Sequence, residues 1–511
     1  MTPDWTRRNF LRATTAGSTL LGLEGLAQFT GLPPVSAAET NLDPKLVRLD
    51  PEIEPLVRLL EETSRDRLLE EVAARIKKGL GYRDLLAALL LAGIRNVQPR
   101  PSVGFKFHAV LVVHSAHLAS QAAPDRERWL PLFWALDNFK SSQAETVKTS
   151  GWRMSPVEEA KVPPARKARQ AFVDAMDRWD ESAADAAVAG LVRTAGAAEV
   201  YELFNRYGAR DLRDIGHKAI YVSQSWRALQ CVGWQHAEPV LRSLAYALLA
   251  HNKNEDPIKG DLPVDRPGRR NLEVAARVNN NWLENDKDDP AATTDLLAAL
   301  RQASTAEISD KVVDLLNKGY RAQTVWDALH VGAGELLSRQ PGILGLHTLT
   351  LTNAIHYAFG ATGNDETRRW LLLQNAAFLT HIREDMNHRG KPLNDIRLDT
   401  LDPAPLDGKT DAAAEILADV SRNRDLAARK ALSYARGKND PQAFFDAARL
   451  LVFFKGSDSH DYKFSSAVFE DYFRVSPVWR DRFLAASVYN LRGSGGPDTA
   501  LVKRAHAALG G

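Results

Sequence analysis

After Pro51 the apolar residues recur at three- and four-residue spacing. Leu56, Leu59 and Leu60 begin the pattern, and Leu69, Val72 and Ile76 continue it. An α-helix turns once in about 3.6 residues, so this spacing gives each helix one apolar face. No stretch sustains the strict alternation of a half-buried strand. Gly79, Gly81, Pro99 and Pro101 interrupt the pattern where helices must stop. The chain therefore reads as all-α.

Two stretches depart from one-sided patterning because they are apolar on every side yet carry histidine. Gly104 to His117 places His108, His114 and His117 among Val, Leu and Ala, and Leu344 to His356 places His347 and His356 in the same filling. His108 and His117 stand nine residues apart, as His347 and His356 do. The likeness extends to both sides of these segments. Val72–Gly79 lies over Val312–Gly319, Gly81-Tyr82-Arg83 over Gly319-Tyr320-Arg321, and Arg128-Trp129-Leu130 over Arg369-Trp370-Leu371. Further on, the segment from His217 falls over the one from His460 and Tyr246 over Tyr489, all at an offset of about 240 residues. This predicts two homologous helical halves, 45–255 and 290–495, packed about a pseudo-two-fold axis. A polar, Pro/Gly-rich linker at 256–289 would join them, and a site built by both halves would lie near the axis.

The charge balance removes one class of partner. With 66 basic residues against 64 acidic ones and no block of like charge, nothing attracts bulk nucleic acid. The single cysteine, Cys231, excludes an internal disulfide and a Cys-rich metal site, so a bound metal must be held by histidines and carboxylates. Residues 1–38 read as an address. Thr6-Arg7-Arg8-Asn9-Phe10-Leu11 resembles a twin-arginine export motif, a weakly apolar run follows from Ala13 to Leu32, and small residues near Ala37–Ala38 suit cleavage. Glu24 within that run argues against a stable membrane anchor. The expected course is passage through the twin-arginine translocase, as a folded protein, to the periplasm or the exterior.

The histidines are the candidate chemistry. Nine residues turn a helix by about 900°, so one straight helix points His108 and His117 to opposite sides. Either His108 sits at the start of its helix or the two serve different interfaces. His114 and His117, three apart, share a face, and with His217 they form the expected metal set for Fe, Cu or Zn. Asn353 replaces His114 in the second half, so that half offers fewer donors. Asp214, just before His217, can cap the helix that follows or orient the imidazole. No His-Glu-x-x-His, Gly-x-Ser-x-Gly or Gly-x-Gly-x-x-Gly pattern is present in its required context, so no Rossmann-type nicotinamide or flavin site is expected.

His114-x-x-His117-Leu, Ile215-Gly216-His217-Lys-Ala-Ile-Tyr and Leu346-His347-Thr-Leu-Thr-Leu-Thr-Asn-Ala-Ile-His356 together resemble the histidine-bearing segments of the questin oxidase-like family. The resemblance implies an all-helical oxidoreductase of Baeyer–Villiger type that acts on a small aromatic or quinone-like ketone. His114, His117, His217, His347 and His356 would be its catalytic candidates. Two other readings of the residues stay open. One is a non-catalytic helical binding or scaffold protein with its histidines fixed in the core; the other is a metal-dependent hydrolase that draws a carboxylate from Asp137, Asp214 or Glu335.

Overall fold

The structure is a computed structural model that describes residue 43 and residues 45–99, 105–252, 254–388, 392–437, 439–456 and 458–510, the side chains of 105–107 excepted. The expected export signal, its cleavage point and Gly104 lie outside the described residues. Among the described residues there are twenty-two α-helices, short 3₁₀ turns and no strand. One isolated bridge pairs Lys287 with Tyr320. The protein is all-α, as the apolar spacing requires. No described helix is long and apolar enough to cross a membrane.

The region from Lys45 onward forms one compact unit with two hydrophobic cores. One core gathers most of the side chains before residue 250 and takes in Val452, Phe453 and Tyr462; the other gathers those after residue 270 and takes in Leu212, Ala219 and Ile220. Each core thus reaches into the far part of the chain. The segment expected as a plain linker contains a helix, Arg266–Ala275. That helix is tied down by its neighbours. Trp370 Nε1 donates to the Gly268 carbonyl (3.2 Å) and Asn271 Nδ2 to Gln374 Oε1 (2.8 Å), while Trp282 is fully buried with its indole N–H on Asp365 (2.7 Å). The polar residues there supply hydrogen bonds to the second core.

Four helices matter most for the site: Phe105–Gln121, His217–Val232, Ile343–Ala361 and Ser459–Arg474. Each packs against two of the others, so that they close a ring. The first and third are the stretches that are apolar all round. A helix with no polar face has no side to turn to water, and such helices go to the middle. Leu111, Val112, Val113 and Ala116 of the first, and Leu349, Leu351, Ala354 and Ile355 of the third, are buried. Arg227 on the second helix and Glu470 on the fourth tie the ring together at 2.8 Å, and Asn353 Nδ2 on the third donates to the same carboxylate at 2.9 Å.

Candidate functional site: a centre of four imidazoles

Each helix of the ring contributes one histidine to a common point. His217 Nε2 stands 2.8 Å from His108 Nε2 and 3.1 Å from His347 Nε2. The His460 ring lies edge-on to both His108 and His347, with centroid separations of 4.5 and 5.2 Å. One ligand atom from each of His108, His217 and His460 falls within 4.8 Å of the others, close enough for one ion to reach all three. His108, His217 and His347 are buried, and His460 is mostly so.

The far nitrogens decide what the near ones can do. His217 Nδ1 donates to the carbonyl of Asp214 (2.6 Å), His347 Nδ1 to the carbonyl of Ile343 one turn back (2.7 Å), and His460 Nδ1 to the Asp458 carboxylate (2.6 Å). Burial, reinforced by the nearby positive charge of Lys463, holds the pKa values of His108, His217 and His347 well below the ordinary imidazole value, so these rings are neutral at neutral pH. A neutral imidazole carries one proton. With that proton on Nδ1, His217 and His347 face each other through two Nε2 lone pairs, and the His460 Nε2 is buried with no partner. His108 can donate to only one of these acceptors. At least one of the two facing lone pairs is left without a donor from His108, an arrangement that costs free energy unless a cation sits there. An Nδ1–H held by a carbonyl or carboxylate while Nε2 points inward is how histidine is presented to a metal.

Local backbone sets this geometry at its most strained point. Asp214 and Ile215 both have positive φ (56° and 51°), followed by Gly216 at 87°. A β-branched residue in the left-handed region is costly, and such strain persists only where the surroundings impose it. Here it turns the Asp214 carbonyl back onto His217. Gly216 has a second reason to be glycine, because a Cβ there would meet Leu351 Cδ1 at 2.7 Å, on the helix that carries His347. The Asp214 backbone, rather than a side-chain cap, orients the imidazole; the helix begins at Gly216 with no side-chain cap bond. His460 is held differently. Asp458 and Asp461 form a capping box, so the residue that caps the helix also grips the ring. One turn further along, Lys463 is fully buried with its Nζ unpartnered, and burial lowers its pKa to about 7.

The residues expected from sequence separate into three places. His217 and His347 lie in the centre. His114 does not: its Nδ1 donates to Gln224 Oε1 (2.9 Å), and burial lowers its pKa to about 3. His117 also lies elsewhere, bonded through Nδ1 to the Tyr82 hydroxyl at 3.0 Å. The expected His114/His117/His217 metal set is therefore not assembled. The nine-residue spacing explains it, since helix geometry turns His117 away from His108 and, likewise, His356 away from His347. His356 bonds His330 at 2.8 Å and stacks on Trp326. Of the three carboxylates considered for a hydrolase, Asp137 is engaged by Arg65 and Glu335 by Arg301, while Asp214 lies beside the centre, its backbone carbonyl on His217. His108 and His460 complete the centre, and the signal for both was the offset: His108 matches His347 and His460 matches His217. For Lys463, His330 and Asp471 the sequence carries no signal of a role.

No protein-family model, curated protein or solved structure matches the chain. What the fold and the site define is an all-helical protein with a buried imidazole centre. The resemblance to questin oxidase-like proteins rests on the quoted segments alone.

Proposed function

We propose that the four-histidine centre holds a transition-metal ion and that the protein is an exported metal-dependent oxidoreductase. The observation that carries this reading is the convergence of Nε2 lone pairs whose rings are locked by hydrogen bonds at Nδ1. A scaffold protein with satisfied core histidines accounts for the Nδ1 contacts and leaves the Nε2 atoms unexplained. The separations of 2.8 and 3.1 Å between nitrogens favour iron or copper over zinc. Two cis ligands of a six-coordinate ion stand about 3.0 Å apart, whereas a tetrahedral pair stands about 3.4 Å apart. An all-imidazole set suits a redox ion, and a hydrolase would want a carboxylate base, for which Asp137 and Glu335 are otherwise engaged. Within this reading Lys463, an amine near neutrality one turn from His460, is the group that holds or releases a proton beside the ion.

The substrate class follows from the questin oxidase-like resemblance: a small aromatic or quinone-like ketone, oxidised with oxygen. The repeated halves add support of a different kind. If the halves are related by a pseudo-two-fold axis, the pairs His108/His347 and His217/His460 are related by it, and a centre that gathers both pairs would straddle the axis. The expected export through the twin-arginine translocase is in line with a protein folded around its ion before it leaves the cytoplasm.

Metal analysis with an absorption spectrum on natively purified full-length protein tests this. Near-stoichiometric iron or copper is expected, lost in His217→Ala and His347→Ala and retained in His114→Ala and His117→Ala. Absence of any metal and chromophore, or loss of metal in the His114 and His117 variants alone, overturns the assignment. Oxygen uptake with a hydroxyanthraquinone tests the substrate class separately.

A further inference from the structure

A second set of ionisable groups lies outside the four-histidine centre. His347 and His356 are nine residues apart on the Ile343–Ala361 helix, which separates them by about 13 Å along the axis and by half a turn around it. On that opposite side, His330 Nε2 bonds His356 Nδ1 at 2.8 Å. The other nitrogen of His330, Nδ1, stands 3.5 Å from Asp471 Oδ2. Both of these atoms are buried and have no other partner, and Asp471 and His330 are themselves fully buried. His356 is partly exposed and lies flat on Trp326, with ring centroids 4.1 Å apart and planes 10° from parallel. The three groups form a line from the interior toward the surface.

We propose that Asp471, His330 and His356 form a second acid–base centre, which passes one proton between the buried carboxyl and the outward Nε2 of His356. The alternative for such a line, a closed structural network, requires every buried polar atom to be satisfied, and the facing Nδ1 and Oδ2 are not. The steps balance for one proton. The Asp471 O–H passes its proton to His330 Nδ1, His330 Nε2–H passes its own to His356 Nδ1, and His356 Nε2–H releases one to a base at the surface. What remains is a carboxylate, with Asn353 Nδ2 already donating to Oδ1 at 2.8 Å. The charges that face this carboxylate are Glu470, which disfavours it, and Arg227 and Arg474, which favour it. The rings of Trp326 and Phe483 pack against His330, and the positive charge of Arg474 disfavours its protonation. Burial, with Glu470 adding to it, raises the Asp471 pKa far above the carboxylate range, in keeping with a carboxyl that carries its proton at rest. Burial lowers that of His356 to about 3, leaving its ring neutral. The ligand this centre would take is a weak base or the conjugate base of a weak acid such as a phenolate. Trp326 supplies a π-face that stabilises the imidazolium formed in passing.

Infrared difference spectroscopy and histidine-selective ¹⁵N NMR on the full chain test the proposal. A protonated-carboxyl C=O band at neutral pH is expected, absent from Asp471→Asn. The His330 and His356 ring nitrogens are expected to shift together with pH, and His356→Gln is expected to change the His330 signal while far-UV circular dichroism shows the helical fold retained. No carboxyl band lost in Asp471→Asn, or independent titration of His330 and His356, overturns it. So does one equivalent of zinc or iron bound by a His217→Ala background and lost on adding Asp471→Asn, which would make the group a metal site instead. None of these readouts depends on metal at the four-histidine centre.

Discussion

At the scale of single residues, burial governs the chemistry. Eight histidines, His108, His114, His117, His217, His236, His330, His347 and His356, have pKa values depressed chiefly by desolvation. A histidine whose folded pKa lies below its unfolded one leaves stability intact above the unfolded value near 6.5 and withdraws it as pH falls toward the folded value. Each such group costs about 1.4 kcal/mol per pH unit in that window. The protein is therefore expected to lose stability as pH falls below about 6.5, measured by circular dichroism across a pH series, with His114→Gln moving the midpoint down. Lys463 is the opposite case of a group with no partner. Lys463→Met is expected to raise thermal stability by about 1–3 kcal/mol, because it removes an unsatisfied buried amine. It is also expected to tighten metal binding by removing a buried positive charge, read as a lower half-saturation concentration in a metal titration. Single residues were also where sequence reading went furthest astray. His114 and His117 looked like a pair because they share a helix face, yet Gln224 and Tyr82 claim one each. A side chain's partner comes from another helix, and local spacing cannot name it.

At the scale of elements, much was legible. Continuous apolar runs with embedded histidine marked the two central helices, and service to two sides was one of the two readings that the nine-residue spacing left open. The turn before His217 was legible only in part. Asp211 to Gly216 reads as a helix start with acidic caps, but three consecutive positive-φ residues and a backbone carbonyl on the imidazole are products of packing against the His347 helix. Gly216→Ala is expected to cost about 1–3 kcal/mol from the backbone conformation and the clash with Leu351. Leu351→Ala in the same chain should recover the steric part and not the conformational part, so thermal melting of the double variant separates the two. Because the turn aims His217, the single variant is also expected to lose metal affinity by at least tenfold, which a purely structural defect far from the site would not do.

At the scale of the whole molecule, the centre draws one ligand from each of four helices spread from residue 105 to residue 474. Metal bound there would favour the folded chain over the unfolded one by about 4 kcal/mol at a concentration a thousandfold above Kd. Chelation is thus expected to lower the melting temperature by several degrees in the wild type and to leave His347→Ala unmoved, as followed by calorimetry. The sequence by itself determined the helical class, because period and breakers are local properties of the chain. The offset of about 240 residues that sets His108 against His347 and His217 against His460 is an expectation of the sequence alone. Tertiary structure alone decided which nitrogens meet. The rotation of each helix, the strained turn at Asp214 and the packing of the four-helix ring set the His217 Nε2 within 3.1 Å of His347 and turn His356 toward His330. The physical reason is that a hydrogen bond or a metal bond is settled within a few tenths of an ångström, and that precision comes from the packing of helices far apart in the chain.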